Sequence, residues 1–320
     1  MKRYKKIIYK IKFFFLVFLL LVFGVAFLLT VPKVVNVAEN RVVLISGQPN
    51  FEAHNLVPEV AGVTTAPQIK IVDAGLPAPK FGAAAALAED LDSGAILYQK
   101  NIHSRLAPAS TTKLVAALVA LDYFKADDVL VVTEDSLVGG STMGLNLGER
   151  LTFRGLLYGM LLNSGNDAAF TIAANYPGGF ANFVSQMNKK VAELGLLDSH
   201  FENPAGFDSP EHYSSAYDLA KVAEAAAKNP QLAKIVSTKE TLVSSIDSSR
   251  THSLRNLNKL LGEDGVLGIK TGFTEKSGEN LVGLIERNGH KVLTVMLSSR
   301  DRFGETRELM DWVYANFSWQ

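Results

Sequence analysis

From residue 80 onward, apolar positions fall into strand-like runs at the two ends and helical spacings between them. Residues 83–91 and 95–99 are apolar runs on either side of Asp92-Ser93-Gly94, which predicts two strands joined by a tight turn. Residues 280–286 and 291–298 read the same way around Asn288-Gly289, a strong hairpin signal. Between them lies 111–124, TTKLVAALVALDYF, preceded by Pro108. It predicts a helix that is apolar on nearly every face and therefore runs through the middle of its domain. Further helices are expected at 152–162, 167–175, 180–194 and 215–228, the last opening with Ser215 three residues before Asp218, a variant of the capping-box spacing. An amphipathic helix at 304–317 closes the chain. Strands early and late with helices between predict an α+β fold, in which an antiparallel sheet pairs both ends of the body under a cover of helices.

The pattern before residue 80 is different. Residues 13–31, FFFLVFLLLVFGVAFLLTV, carry no charge and have no polar face. As a helix this run spans about the 30 Å of a bilayer's hydrocarbon layer. Residues 1–12 hold six Lys/Arg and no acid. The expectation is a cytoplasmic basic segment (1–12), a retained transmembrane anchor (13–31) and an extracytoplasmic body. The competing reading is a cleaved signal peptide, whose apolar core is usually shorter; no convincing small-x-small cleavage site follows this one. Residues 32–79 read as a connector, punctuated by prolines 32, 49, 58, 67, 77 and 79, with one short apolar piece at 42–45 that could form an edge strand.

Charge and composition narrow the function classes. Formal net charge is zero, but without the basic arm the remainder is −6, which disfavours nucleic-acid binding. There is no cysteine, which excludes disulfides, thiolate metal sites and a cysteine nucleophile. No His-Glu-x-x-His or Gly-x-Ser-x-Gly occurs, and the six histidines show no triad context.

Three short motifs could carry chemistry. In Ser110-Thr111-Thr112-Lys113 the serine and lysine lie one helical turn apart on one face, the hydroxyl near a helix N-terminus. A lysine serves as base to a serine only if burial or a nearby cation lowers its pKa. Taken alone, the motif is equally an N-cap serine beside a solvated lysine. Ser164-Gly165-Asn166 places a hydroxyl beside a carboxamide, and a capped turn would explain it as well. Lys270-Thr271-Gly272 follows the apolar 266–269 and would set a cation and a hydroxyl along a strand edge, with a glycine that permits close approach. In this order, on these elements, the three form the signature of the β-lactamase and penicillin-binding protein superfamily.

The text around the motifs resembles the low-molecular-weight D-alanyl-D-alanine carboxypeptidases over residues 80–320. The matching phrases are PASTTKLVAALVAL, LTFRGLLYGMLLNSGNDAA, FVSQMNKKVAELGL, HFENPAGFD, HYSSAYDLA and GIKTGFT. The resemblance implies a β-lactamase/transpeptidase-like fold: a five-stranded antiparallel sheet flanked by helices, plus a helical subdomain. It implies substrates that are peptidoglycan stem peptides ending in D-Ala-D-Ala, β-lactam antibiotics as covalent inhibitors, and no metal or other cofactor. Carried over residue by residue, Ser110 is the nucleophile, Lys113 its base, and Ser164 a proton relay to the leaving D-alanine. Asn166 holds the substrate amide, Lys270 and Thr271 engage its carboxylate, and Gly272 allows the substrate backbone close. The backbone N–H groups of Ser110 and Phe273 form the oxyanion hole. Two departures stand out. Relatives often add a C-terminal β-rich domain and an amphipathic membrane helix, which this chain is expected to lack, and often carry a small residue such as Ala where this chain has Ser277.

Other readings use the same scaffold. A serine β-lactamase of class A needs a Glu that activates the deacylating water, and Glu202-Asn203-Pro204 does not supply its context. A D,D-endopeptidase uses the same acyl chemistry and is not separated by these motifs. A non-enzymatic wall-binding protein would not need all three motifs intact.

Overall fold

The computed structural model describes residues 70–320. The expected basic arm, the expected anchor and most of the expected connector lie outside the described residues. Among the described residues no helix is long and apolar enough to cross a membrane.

Five strands form the central sheet: β2 (Ala85–Asp90), β3 (Ile96–Lys100), β8 (Val266–Thr274), β9 (Gly278–Arg287) and β10 (His290–Ser299). Their order is β3-β2-β10-β9-β8, and every neighbouring pair is antiparallel. The sheet thus joins the early and late strand pairs through β2 and β10, with Val292 opposite Asp90 and Leu297 opposite Ala85. Asn288 and Gly289 both take positive φ, 54° and 80°, as a two-residue hairpin turn of this type demands. β2 is buried along its whole length, and it lies between two layers, which accounts for the Ala and Leu of its first four positions, 85–88, ahead of the buried acids Glu89 and Asp90.

The helix expected over 111–124 is shorter and enters differently. Residues Ala109–Thr112 make one 3₁₀ turn, and α1 runs over Lys113–Leu121. Its fully buried side chains touch the other helices and the sheet, so it does occupy the middle of the domain. Around it lie α2 (Phe153–Leu161), α3 (Asn166–Asn175), α4 (Gly179–Glu193) and α5 (Ala216–Lys228). Each begins or ends within two residues of its expected bounds. The Ser215 hydroxyl accepts from the Asp218 N–H at 3.1 Å, the N-cap that the spacing predicted. The closing helix, α7 (Arg302–Asn316), packs on the opposite side of the sheet through Leu309 and Val313.

Several elements have no clear sequence signal. α6 (Pro230–Val236) is capped by Asn229, whose Oδ1 accepts from Gln231 N and Leu232 N. Two small hairpins, β4 (Val129–Val131) with β5 (Arg150–Thr152) and β6 (Glu240–Ser244) with β7 (Thr251–Arg255), lie beside the helices. β1 (Ile71–Asp73), within the stretch expected as connector, pairs with β11 (Phe317–Trp319) directly after α7. Trp319 Nε1 then donates to Asp90 Oδ1 at 2.8 Å, fastening this strand pair to the end of β2.

Because Leu114 is fully buried at the start of α1, one residue from Lys113, Leu114→Ala is expected to cost about 2–5 kcal/mol of stability. Denaturant unfolding of the two proteins measures this; a change below about 1 kcal/mol would mean that the core collapses around the site.

Candidate active site

All three motifs meet at the edge of the sheet. β8 is an edge strand, and the 3₁₀ turn carrying Ser110 packs against it. A side chain at Gly272 would place its Cβ 3.0 Å from Pro108 O and 3.1 Å from Ser110 N. Glycine is needed there because strand and turn approach within backbone contact. On the other side, a Cβ on Gly206 would fall 1.8 Å from Ala109 O, and Gly206 itself has a φ of 91°. The turn is therefore clamped between two glycine backbones. Ala109 has a φ of 49° and Ser164 of 59°, conformations that cost non-glycine residues free energy and that cluster where structure imposes them.

Lys113 is the centre of the arrangement. Its side chain is fully buried, and its Nζ sits 2.9 Å from Ser110 Oγ, 2.8 Å from Asn166 Oδ1 and 2.7 Å from Ala205 O. Asn166 is oriented by its other end, since Nδ2 donates to Gly139 O at 2.8 Å. Two of the three neighbours of Nζ are thus carbonyl oxygens with no proton to give. A neutral amine has two N–H groups and one lone pair. Its N–H groups satisfy Asn166 and Ala205, and the lone pair is left for the only neighbour that can donate, the Ser110 hydroxyl.

Electrostatics favours that neutral form. Burial holds the Lys113 pKa well below its ordinary value, the nearby Lys270 ammonium lowers it further, and Asp167 opposes the shift. Lys270 is also buried, with Nζ 3.0 Å from Ser164 Oγ and 3.0 Å from Thr271 O. Burial and then the Arg302 charge lower its pKa to about 7. Lys113, Ser110 and Asn166 thus form one cluster, Lys270 and Ser164 a second. Thr271 is buried and Phe273 is mostly exposed on the rim. The amide of Asn166, expected to hold substrate, is engaged at both ends in the present arrangement.

Sequence reasoning assigned no role to several residues that build this site. Asp167 accepts from the backbone N–H groups of Met143, Gly144 and Leu145, pinning the loop behind Asn166, whose own N–H donates to Ser141 O at 2.7 Å. Arg302 donates to Gly272 O at 2.8 Å. Asn203 Oδ1 accepts from the N–H groups of Ala205, Gly206 and Phe207, coiling the loop that aims Ala205 O at Lys113. His212 ties this loop to the turn that carries Ser110. Its Nδ1 accepts from Glu202 N at 3.1 Å, so Nε2 carries the ring proton and donates to Thr112 Oγ1 at 2.9 Å. Nothing local in the Asn203-Pro204-Ala205-Gly206 run marks which of its carbonyls faces inward.

The model of peptidase family S11, D-alanyl-D-alanine carboxypeptidase, matches residues 73–301. The chain belongs to this family. D-alanyl-D-alanine carboxypeptidase DacF of Bacillus subtilis is 34% identical over 236 residues, 71% of this chain and 60% of DacF. DacD of Salmonella typhimurium is 33% identical over 286 residues, 83% of this chain and 70% of DacD. The carboxypeptidase-family fold is shared with the Streptomyces K15 DD-transpeptidase, whose crystal structure superposes with a TM-score of 0.71 at 28% identity, covering 75% of this chain and all of that one. The chain matches only 60% of the length of DacF. The expected five-stranded sheet with flanking helices is therefore the family's fold.

The buried His212 tests the loop clamp. Burial lowers its pKa to about 4, from an ordinary 6.5. Between those values the unfolded chain takes up a proton that the folded chain refuses, so stability falls as pH drops through this window and is unaffected above it. The linkage is worth about 3 kcal/mol at most. In His212→Gln the pH dependence of Tm between 6.5 and 4 should flatten relative to wild type, whereas parallel curves would show that His212 titrates freely in the fold.

Proposed function

We propose that this chain is a serine-type D-Ala-D-Ala carboxypeptidase that removes the terminal D-alanine of peptidoglycan stem peptides. The observation that carries this reading is the pairing of Ser110 Oγ with a buried amine whose other two partners are carbonyl oxygens. The amine is a base already aimed at the hydroxyl.

In this reading Ser110 Oγ attacks the carbonyl of the penultimate D-alanine while Lys113 Nζ takes its proton. The oxyanion develops against the backbone N–H groups of Ser110 and Phe273; in support, a Cβ on Gly272, next to Phe273, would stand 3.1 Å from Ser110 N. One such donor is worth roughly 10²–10³ in rate. Lys270 in its protonated form attracts the terminal carboxylate with Thr271, and holds Ser164 Oγ where it can pass a proton to the departing amine. Water hydrolyses the resulting ester and restores Ser110. β-Lactams would acylate the same hydroxyl. The membrane anchor proposed for residues 13–31 would keep this site on the outer face of the membrane, where peptidoglycan lies.

The test is incubation of the protein with a D-Ala-D-Ala pentapeptide. Free D-alanine is expected from wild type, and Ser110→Ala should lose at least about 10³-fold in kcat and all labelling by fluorescent penicillin. Labelling that survives Ser110→Ala would remove Ser110 as nucleophile. The pH profile carries a second expectation. With the Lys270 pKa at about 7, kcat/KM should decline as pH rises through 7, because the carboxylate-attracting cation is lost in the free enzyme. A kcat/KM that stays flat up to pH 9 would place the carboxylate elsewhere.

A further inference from the structure

The loop that backs Asn166 does not hold its own shape. Residues 139–149 contain no helix or strand, and Gly140, Gly144 and Gly148 all take positive φ within them. Yet this loop sets the amide of Asn166. Gly139 O accepts from Asn166 Nδ2 at 2.8 Å, and Ser141 O accepts from its backbone N–H at 2.7 Å. Between them, a Cβ on Gly140 would lie 2.8 Å from Asn166 Nδ2. Loop and amide are in contact, so a shift of one moves the other.

The loop is gripped from two sides. Asp167 takes the N–H groups of Met143, Gly144 and Leu145. The opposite grip comes from β7. His252 is buried there, with Nδ1 3.0 Å from Met143 O and Nε2 2.6 Å from Glu149 Oε1. Glu149 is buried too, and its Oε2 accepts from Asn146 N at 3.1 Å. Met143 O has no proton to give, so Nδ1 carries one and donates it. A second proton is shared between Nε2 and Oε1. Met143 is thus pinned through its N–H by Asp167 and through its carbonyl by His252. β7 meets the same region again at its end, where the N–H of Arg255 donates to Asn163 Oδ1 at 2.7 Å, beside Ser164. One strand therefore holds both flanks of Ser164–Asn166.

A buried ion pair adds little net stability, because desolvation offsets its attraction; its better use is to fix one arrangement over others. We propose that His252 and Glu149 are positioning residues for the acylation step. They fix the Met143 carbonyl and, through residues 139–143, hold the Asn166 amide against Lys113. The inference rests on the serine peptidase reading above and adds two residues that none of the three motifs marks. Asn166 Oδ1 lies 2.8 Å from Lys113 Nζ. Displaced, it would neither hold the substrate amide nor direct the amine at Ser110, and a misplacement of about 1 Å can cost about 10²-fold in rate.

The experiment measures the rate of Ser110 acylation by a fluorescent penicillin in a double-mutant cycle with Asn166, on full-length protein whose folding is checked by circular dichroism. In His252→Gln the amide reaches the place of Nε2 but leaves Met143 O without a donor, and acylation should slow by about tenfold or more. In an Asn166→Ala background the same change should cost less than about threefold, because the loop then has no amide to place. His252→Asn/Glu149→Gln keeps a donor in the place of Nδ1 without a buried charge and should recover most of the rate. Val313→Ala, in the separate core cluster under α7, controls for stability: it should lower Tm and leave acylation of the folded protein unchanged. Glu149→Ala, which removes the other half of the clamp, runs through the same cycle and gives the answer where His252→Gln does not fold. Equal losses in both backgrounds, or a His252→Asn/Glu149→Gln protein as slow as His252→Gln, would overturn the inference and leave the serine reading standing. A wild type that takes no label on Ser110 would overturn both.

Discussion

Everything in this site depends on an amine buried without a charged partner in contact. Lys113 has no solvent exposure, and the groups at its Nζ are a hydroxyl, an amide oxygen and a peptide carbonyl. An ammonium in such a place is costly because no carboxylate compensates its desolvation. Lys270, buried in the same cleft, adds a like charge. Burial and the Lys270 charge hold the Lys113 pKa well below its ordinary value, which favours the neutral amine that a base must be. Lys270, whose pKa falls to about 7, can keep its proton near neutrality and, in the proposed mechanism, serve as the cation. In the proposed mechanism two residues of one type thus take opposite roles because their surroundings differ, the general logic by which acid and base are separated within one site.

Such a cluster must be held rigidly, and the surrounding backbone shows how. The nucleophile turn is pressed between Gly272 on the sheet edge and Gly206 in the 203–207 loop, and it enters through Ala109 in a left-handed conformation. Asp167 gathers three backbone N–H groups behind Asn166. Below it, His252 spans Met143 O at 3.0 Å and Glu149 Oε1 at 2.6 Å within the interior. The loop behind Asn166 therefore rests on buried polar groups, and α1 anchors Lys113 to the core. Free energy spent on strain at Ala109 and Ser164 is offset by packing elsewhere in the domain.

Much of this was legible in the sequence, and the reasons it was legible are physical. Strong periodicity at 152–162, 180–194 and 215–228 and the Asn288-Gly289 turn marked helices and hairpin within two residues. The three motifs were each ambiguous, and their order resolved them. What stayed hidden has a common cause. Ala205 acts through its carbonyl, Gly206 through the absence of a side chain, and Asn203 and His212 through contacts made only after the loop folds back on the turn. A backbone acceptor has no residue type to betray it. The start of α1 was missed for a related reason: the 3₁₀ turn at Ala109–Thr112 is set by the β8 contact, not by local propensity. The β6–β7 hairpin carries a weak pattern because most of its side chains are exposed.

The most direct test of this account is the protonation state of Lys113 itself, read from the lysine Cε and Nζ resonances of isotope-labelled protein across a pH series, with Lys113→Met to assign the signal. The account predicts a neutral-amine signal for Lys113 at pH 7 and a separate lysine, Lys270, titrating near 7. A Lys113 signal that remains that of a charged ammonium up to pH 9 would contradict it, because a lysine protonated there could not accept the proton of Ser110.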